Sequence, residues 1–459
     1  SGSTFPTTIW KPGSTEAVTT YTARKTPNDF SLSGWYAILP PPGSAHELDG
    51  DHTADWVIVG AGFAGLAAAR RLTQLRPGER IIVLDAQRVG WGAAGRNSGF
   101  MIDLPHELKS RAYGGGYDDD LKQIELNRAG IAFATEAVED YDLHNAFNPC
   151  GKVHGATDGA GMDALKEYAT HLDALDEPYT MLDAADLKRV TGTDYYAGGM
   201  HAPGCVQIQP AAYIRGFADG LRAKVEIYEN SPVRHIHTGA GGHTVETDRG
   251  RISTPHVILT VNGHVESFGL YARRLMHTYT FASMTRELTP DEQDRLGGEA
   301  EWGIIPAHPM GSSVRRLKEN RIVVRNVFTY NPDMETSERQ VAQRGKRHDT
   351  SFRARFPMLP DVNMEYRWGG HLCLSLNGAH AFGEIEEGLF SACCQQGQGV
   401  AKGTMSGMLI AELAARTNNP LIEDLHALGE PNALYPEPFM TLGARAKLWW
   451  MHRGAGRDL

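Results

Sequence analysis

Three glycines at positions 60, 62 and 65 form the first group of residues whose type and spacing indicate chemistry. They lie in a G-x-G-x-x-G segment, and Asp85 follows twenty residues after the last of them. In such a segment the glycines permit a tight turn, close approach of a pyrophosphate and packing of a helix on a strand, and the later acid accepts hydrogen bonds from a ribose. The spacing therefore predicts a dinucleotide site whose contacts come from Gly60, Gly62, Phe63, Ala64, Gly65, Asp85 and Ala86.

The flanking residues predict the elements that hold this site. Residues 55–59 form a short apolar run typical of a buried strand, and residues 81–84 form a second one. Between them, residues 63–75 have a helical composition that stops at Pro77-Gly78. The order strand, helix, strand indicates a parallel pair with a right-handed crossover, and the start of the helix attracts phosphates. The alternative is a glycine turn that only packs a helix, which leaves Asp85 unexplained.

The remaining helical and strand-like patterns indicate two interleaved domains. Helices are predicted over 121–141, 163–175, 335–356 and 399–416, and strands over 225–228, 233–238, 257–261, 278–284 and 321–328. We expect a discontinuous dinucleotide-binding domain of residues 51–145, 201–268 and 366–416, and a second domain of residues 146–200 and 269–365. Residues 1–50, rich in Thr, Pro, Ser and Gly, are expected to form an extended arm pinned by Trp35 and Tyr36, and residues 417–459 a tail.

Composition excludes several classes of protein. A chain of 459 residues with 41% hydrophobic residues is too apolar for a disordered protein. Its net charge of −10 is opposite in sign to the basic surface that a nucleic-acid-binding protein needs. No apolar run in the sequence is long enough to span a membrane. The five cysteines form no C-x-x-C pair, so we expect neither a disulfide framework nor a metal site, but reduced thiols in a cytoplasmic protein.

The segment Val89–Phe100, which reads VGWGAAGRNSGF, resembles the one after the second strand in the D-amino-acid oxidase/glycine oxidase superfamily. There it wraps the pyrophosphate of FAD and runs beneath the flavin ring. Residues 231–233, 257–263 and 397–404 are similar to three further cofactor segments of that superfamily, in the same order. Residues 368–370 and 388–392 are most similar to the branch of γ-glutamylputrescine oxidase and related bacterial amine oxidases.

The resemblance implies an α/β fold in which a Rossmann-type FAD-binding domain is interleaved with an antiparallel-sheet substrate domain. It implies FAD as the cofactor, contacted also by Gly95, Arg96, Asn97, Ser98, Val233, Asn262, Gly263, Gly397, Gly399, Val400 and Thr404. The implied reaction is oxidation of the C–N bond of a small primary or secondary amine to an imine, which water hydrolyses, with O2 as the expected acceptor. A quinone or protein acceptor and the oligomeric state stay open.

One departure from the superfamily bears on the substrate. Its amino-acid oxidases usually carry an arginine shortly after the W-x-G segment, which clamps the substrate carboxylate, but residues 371–377 contain none. This favours an amine whose carboxylate is distant or absent. An amino-acid or opine oxidase/dehydrogenase remains the alternative, since another strand can supply the clamp from Arg273, Arg274, Arg315, Arg316 or Arg325. A non-catalytic flavoprotein subunit is the alternative from another class.

Individual side chains complete the set of candidates. We predict His371 and Tyr279 as catalytic residues, against the alternatives of a core histidine and of core packing of Tyr279 with Phe281. Cys373 lies near the position at which sarcosine oxidases carry a covalent flavin thioether, yet a packing cysteine and non-covalent FAD are expected. His308 is interpreted as a loop residue and Lys402 as a solvated lysine.

Overall fold

The computed structural model describes residues 18–105 and 115–459. Its first layer is a six-stranded sheet in the order β11-β4-β3-β15-β22-β21. All neighbouring strands are parallel except the edge pair β21–β22. The strands are β3 (Trp56–Val59), β4 (Ile81–Leu84), β11 (Glu226–Tyr228), β15 (His256–Leu259), β21 (Ala381–Glu386) and β22 (Leu389–Cys393).

The second layer is a larger, mainly antiparallel sheet of eight strands in the order β20-β16-β19-β18-β17-β7-β9-β8. Only β17 and β7 are parallel neighbours in it. The strands are β7 (Lys152–Ala156), β8 (Thr180–Asp183), β9 (Gly198–Ala202), β16 (Met276–Thr285), β17 (Trp302–Pro306), β18 (Ser313–Leu317), β19 (Arg321–Tyr330) and β20 (Met364–Leu374).

Two smaller sheets and eleven helices complete the described residues. The five-stranded sheet joins β1 (Thr19–Thr22), β12 (Val233–Gly239), β13 (Gly242–Thr247), β14 (Gly250–Thr254) and β2 (Gly50–Thr53), and the three-stranded sheet joins β5 (Phe100–Met101), β10 (Val206–Ile208) and β6 (Phe147–Asn148). The helices are α1 (Gly34–Ala37), α2 (Phe63–Leu75), α3 (Tyr117–Tyr141), α4 (Gly159–Ala174), α5 (Ala184–Thr191), α6 (Pro210–Leu221), α7 (Pro290–Leu296), α8 (Glu338–Arg355), α9 (Ala401–Ala414), α10 (Pro420–Ala427) and α11 (Phe439–Gly454). Across residues 18–105 and 115–459, none of these helices is apolar and long enough to cross a bilayer.

Helices α2 and α9 cross at very close range against the parallel sheet. A β-carbon on Gly407 of α9 would lie 2.0 Å from the carbonyl oxygen of Ala64 in α2. The small residues of α9 therefore serve helix packing, and nearly the whole helix is buried. The crossing brings the starts of both helices to the same end of the sheet.

The predicted α/β fold with a parallel dinucleotide-type sheet and an antiparallel second sheet is confirmed. Helix α2 has the predicted bounds, and β3, β4, β12 and β16 lie where strands were expected. The predicted boundary at residue 366 divides β20, which is hydrogen-bonded into the eight-stranded sheet. We propose to move it beyond Leu374.

The two terminal segments contain more structure than their composition predicts. In the described part of the arm, Trp35 and Tyr36 are buried in α1 as expected, but β1 also pairs with β12. The predicted tail contains α10 and α11, and Leu448 and Met451 of α11 pack near Phe328. Both segments gain their structure from distant partners, which local periodicity does not show.

Candidate cofactor and active site

One large cavity lies at the carboxyl ends of the parallel strands, where open α/β sheets bind ligands. The motifs of the sequence, up to 340 positions apart, meet there. Of the residues predicted to contact a cofactor, those that line it are Gly60, Gly62, Phe63, Ala64, Asp85, Ala86, Arg96, Asn97, Ser98, Val233, Asn262, Gly397, Gly399 and Val400. The structure thus brings the four resemblance segments together, while their contact with FAD stays a prediction.

Four predicted contact residues lie behind the lining and pack it. A β-carbon on Gly65 would lie 1.8 Å from the carbonyl oxygen of Gly60, and one on Gly95 would lie 1.8 Å from that of Gly90. Gly263 makes room for two histidine rings, with a β-carbon only 2.7 Å from Cε1 of His371. Thr404 donates its hydroxyl hydrogen bond to the carbonyl of Val400, at 2.7 Å. These residues lie behind the ones that line the cavity and hold them in place.

The start of α2 forms one end of the cavity. Gly60 has a φ of +106°, and a β-carbon there would lie 2.9 Å from the carbonyl oxygen of Thr260. Gly62 caps the helix without a side chain, so a ligand can approach the first N–H groups, which have no partner within a helix. The first turns of α2 and α9 carry no acidic residue. Two helix starts therefore present positive potential to the same cavity, which suits a pyrophosphate.

Asp85 directly follows β4, beside the glycine turn. Its Oδ2 accepts a hydrogen bond from the backbone N–H of Ala61, and its Oδ1 accepts one from that of Gln87, both at 2.8 Å. Burial raises the pKa of Asp85 from 3.8 to about 6, and the two backbone hydrogen bonds oppose that rise. Each oxygen keeps a further lone pair, so the carboxylate can accept hydrogen bonds from a ribose.

We expect Asp85→Ala to weaken FAD binding by about 10- to 100-fold, because a hydrogen bond to a charged acceptor contributes about 1.5–3 kcal/mol. In the unsubstituted protein, the affinity for FAD should also fall as the pH drops through about 6. Protonation of Asp85 removes hydrogen-bond acceptors, and the ribose hydroxyls bind the charged carboxylate more strongly than the neutral acid. Fluorescence titration of the apoprotein with FAD at several pH values measures both effects. The variant should lack the pH dependence.

The matched control is Asp51→Ala, which removes an exposed carboxylate that pairs with Arg251 at 2.8 Å. It should bind FAD like the parent protein. An Asp85→Ala variant that retains both the parent affinity and the parent pH profile would show that Asp85 is not the ribose ligand.

Part of the arm also lines the cavity, and sequence analysis missed it. Lys25 and Asp29 mark the ends of the lining stretch 25–29. Beyond it, Ser33 donates to the carbonyl of Gly95 at 2.8 Å, and Trp35 Nε1 donates to that of Asn97 at 2.8 Å. The arm therefore fixes the backbone of the loop that is expected to run beneath the flavin. The aromatic pair of Trp35 and Tyr36 is the signal of this in the sequence.

Arg96 stabilises the same loop from inside. Its Nε donates to the carbonyl of Trp91 at 2.7 Å, and its guanidinium also donates to the carbonyls of Ser31 and Gly369. Asp29 lies 3.6 Å from Nε. With these backbone partners Arg96 acts as a brace that positions the loop.

His371 and Tyr279 face each other across the cavity end of the eight-stranded sheet. They are opposite residues of β20 and β16, and their ring centroids are 5.4 Å apart. The hydroxyl of Tyr279 donates to the carbonyl of Met334 at 2.8 Å, and burial raises its pKa. Burial, followed by the neighbouring His264 and His277, holds the pKa of His371 well below 6.5. These facts suit Tyr279 as an aromatic wall and His371 as a neutral imidazole.

Sequence analysis missed His277 and Glu266, which extend the site behind His371. Nδ1 of His277 lies 3.2 Å from Nε2 of His371, and Nε2 of His277 lies 2.6 Å from Oε2 of Glu266. His277 precedes Tyr279 by two positions on β16, so both side chains lie on the same face of the sheet. That alternation was the available signal, but the predicted strand began at residue 278.

The five candidate arginines differ in their position relative to the cavity. Among them, Arg325 on β19 lines the cavity of the described structure, with Cζ 5.3 Å from the ring centroid of Phe328, which also lines it. Arg315 donates to the carbonyls of Ser98, Gly99 and Ile208 from behind. Arg316 donates to two carbonyls near α7, Arg274 pairs with Glu430, and Arg273 is exposed.

The remaining candidates take structural positions outside the cavity lining. His308 lies in the loop between β17 and β18, as interpreted, and Nδ1 accepts a hydrogen bond from the N–H of Met310 at 3.1 Å. The interpretation of Lys402 as solvated is wrong, because it is 5% exposed and donates to Gln123 of α3 at 2.8 Å. Close packing of α9 against α3 covers the lysine. Cys373 is buried in an apolar cluster with Cys393 and Cys394.

Because burial holds the pKa of Cys373 well above that of a free thiol, the reactive thiolate is disfavoured. We therefore expect acid precipitation to release all the FAD into the supernatant, and Cys373→Ser to release the same fraction. Absorbance of the washed pellet and supernatant measures this. Flavin colour that stays with the pellet, and is lost in Cys373→Ser, would contradict non-covalent binding.

The cavity fits flavin adenine dinucleotide. The Asp85 carboxylate and the starts of α2 and α9 line it together, which suits a ribose and a pyrophosphate. Oδ1 of Asn262 is buried and accepts no hydrogen bond from residues 18–105 or 115–459, so it is an acceptor left for a ligand beside the cavity.

Comparisons with known proteins agree with this fit. The family model described as FAD dependent oxidoreductase (DAO) matches residues 55–413. γ-Glutamylputrescine oxidoreductase of Escherichia coli K12 is 26% identical over 372 residues, which cover 79% of this chain and 83% of that protein. The probable oxidoreductase OrdL of Haemophilus influenzae is 26% identical over 377 residues, covering 78% and 82%.

Among solved structures, glycine oxidase of Geobacillus kaustophilus superposes with a TM-score of 0.66 at 20% identity, covering 80% of this chain and 96% of that one. At this identity the likeness concerns the fold. Together with the family match over most of the chain, it completes the assignment that the converging motifs began: this chain belongs to the DAO family of FAD-dependent oxidoreductases.

Proposed function

We propose that the protein oxidises the C–N bond of a small primary or secondary amine to an imine, which water then hydrolyses. The observation that carries the proposal is the continuity of the cavity, which joins the dinucleotide motifs to His371 and Tyr279 on the eight-stranded sheet. FAD, when bound, supplies the hydride acceptor. The similarity to γ-glutamylputrescine oxidoreductase supports an amine as the donor.

In this proposal the protein binds and orients the amine and accepts its proton. Tyr279 and Phe328 provide apolar walls for the carbon chain, and the half-buried His371 is a neutral acceptor for an N–H group. Only a neutral amine has the nitrogen lone pair that favours loss of hydride from the adjacent carbon. Flavin reduction should therefore become faster as the pH rises towards the pKa of the substrate ammonium.

Oxidation of an amino acid is the second candidate, and the position of Arg325 favours it. A guanidinium on β19 that borders the same cavity can bind a carboxylate in a bidentate manner, although no arginine follows the W-x-G segment. The two candidates differ in whether a carboxylate stands on the reacting carbon or elsewhere in the substrate.

Stopped-flow flavin reduction with matched pairs, each an amine and its α-carboxylated counterpart, distinguishes the candidates. We expect the simple amine of each pair to react about 10- to 1000-fold faster in kcat/KM, in line with a missing contact of about 1.4–4 kcal/mol. Consistently faster reduction by the carboxylated member would favour the amino-acid candidate. A flavin that no member of the panel reduces would contradict both and support a non-catalytic subunit.

We propose O2 as the acceptor, following the resemblance to oxidases. Oxygen consumption and peroxide formation in stoichiometric amounts with the imine product test it. Reoxidation that requires an added quinone would replace O2 with a quinone-type acceptor.

A further inference from the structure

Glu266, His277 and His371 form a continuous hydrogen-bonded row from the protein surface to the cavity. His371 borders the cavity, His277 has a side chain 3% exposed, and Glu266 has one 16% exposed. The two connecting distances are 3.2 and 2.6 Å, both within hydrogen-bond range. Each element contributes one member, because Glu266 lies in the 3-10 segment Asn262–Phe268, His277 in β16 and His371 in β20.

The order of the partners fixes where each proton lies when both imidazoles are neutral. A carboxylate only accepts, so Nε2 of His277 donates to Glu266 and Nδ1 of His277 carries no proton. Nε2 of His371 then donates to that Nδ1, which leaves Nδ1 of His371 unprotonated. Such an arrangement is oriented, with a basic nitrogen at one end and a carboxylate at the other.

The local backbone is built to allow this row. A β-carbon on Gly263 would lie 2.7 Å from Cε1 of His371 and 2.8 Å from Nδ1 of His277. A larger residue would therefore separate the two rings. The planes of the two rings are 28° apart and their centroids are 5.4 Å apart.

Other ionisable groups surround the row on every packed element. The ring of His264 meets His371 edge-on at 5.5 Å, and Lys25 influences His264 from the arm. Burial lowers the pKa of His264 to about 4, so His264 stays neutral. The backbone N–H of Arg274 donates a hydrogen bond to Oε1 of Glu266 at 3.2 Å. The thiol of Cys373 and the hydroxyl of Tyr330 are close enough to Glu266 for its charge to raise their pKa values. Glu266 is the acid hydrogen-bonded to His277.

We propose that His371, His277 and Glu266 form a proton relay that removes the proton of the substrate ammonium before oxidation. This deepens the proposed amine oxidation and rests on it. Nδ1 of His371 takes a proton from the ammonium, Nε2 of His371 passes its proton to Nδ1 of His277, and Nε2 of His277 passes its proton to Glu266. The amine becomes neutral, Glu266 becomes neutral, and no electron moves in this step. Glu266 then returns its proton to water at its exposed edge.

The test is the pH profile of flavin reduction in Glu266→Gln, a substitution that keeps the size of the side chain but removes the proton acceptor. Near pH 7 we expect reduction by an amine substrate to slow by about 10- to 100-fold, within the usual range for general base catalysis. Near pH 10, where much of a typical amine is already neutral, the two rates should agree within about threefold. FAD affinity should not change. Glu430→Gln, on the exposed partner of Arg274, is the control and should follow the parent profile.

A loss of the same size at every pH would show that Glu266 only supports the structure, and an unchanged profile would also overturn the relay. A second measurement does not depend on turnover. Nitrogen NMR of the histidine-labelled holoenzyme, assigned with His277→Gln and His371→Asn, should show both rings protonated at Nε2 and not at Nδ1. A proton on Nδ1 of His371 would overturn the relay. If no amine reduces the flavin of the parent enzyme, the proposed function fails, and this tautomer measurement decides the relay separately.

Discussion

Gly65→Ala should largely abolish stable FAD binding, although alanine is the better helix former by about 1 kcal/mol. Gly65 is the third residue of α2, and a β-carbon there would lie 1.8 Å from the carbonyl oxygen of Gly60 and 2.8 Å from Oγ1 of Thr260. Neither the carbonyl group of Gly60 nor the segment that carries Thr260 can move away at a low cost in free energy. The start of α2 must therefore shift. Overpacking of this kind costs about 1–3 kcal/mol or more, and the shift also misplaces the phosphate-binding N–H groups.

The measurements are the flavin-to-protein absorbance ratio after purification and the thermal unfolding midpoint. Gly443→Ala is the matched control, because Gly443 also lies within a helix and a β-carbon there meets no described atom within 4 Å. We expect that control to retain full flavin content and to unfold at the same or a slightly higher temperature. Full flavin content in Gly65→Ala would mean that the turn is more adaptable than the described packing indicates.

Local rules account for the parts of the site that could be predicted from the sequence. The strand, glycine turn and helix around residues 56–75 are adjacent in the chain, so their geometry depends on short-range sterics and capping. Asp85 follows from the fixed length of the β–α–β unit. The glycines at 397 and 399 precede a helix for the same local reasons, and they line the cavity.

Contacts between distant segments account for what was missed. Strand β20 pairs with β16 about ninety residues earlier, and its glycine pair at 369 and 370 weakens any local strand signal. The arm reaches the loop at 95–97 across about sixty residues. Glu266 and His371 are joined through His277, and no spacing rule links those three positions. The chemistry of this end of the site therefore depends on tertiary structure.

Both the sequence and the structure are needed to select Arg325. The sequence gives five arginines that could bind a substrate carboxylate, and the structure places Arg325 in the cavity lining. We expect Arg325→Met to slow the oxidation of an amine whose carboxylate lies away from the reacting carbon by about 30- to 1000-fold in kcat/KM. Loss of a desolvated charge contact costs about 2–4 kcal/mol, and each 1.4 kcal/mol corresponds to about one decade. The matched amine without a carboxylate should change by less than about threefold, since methionine keeps the apolar stem beside Phe328.

Arg273→Met is the control for this comparison, since it removes the same charge from an exposed arginine outside the cavity lining. It should leave kcat/KM for both members of the pair unchanged, which excludes a general effect of net charge on steering.

The ratio of kcat/KM between the two substrates is the informative quantity, because damage to folding or FAD binding would lower both rates together. Equal losses for both members would remove Arg325 from substrate recognition, and the amino-acid candidate would then lack its carboxylate anchor. A selective loss would instead show that Arg325 binds the carboxylate of the substrate. The position of that group relative to the reacting carbon then follows from comparing α-carboxylated amines with amines whose carboxylate stands at the far end of the chain.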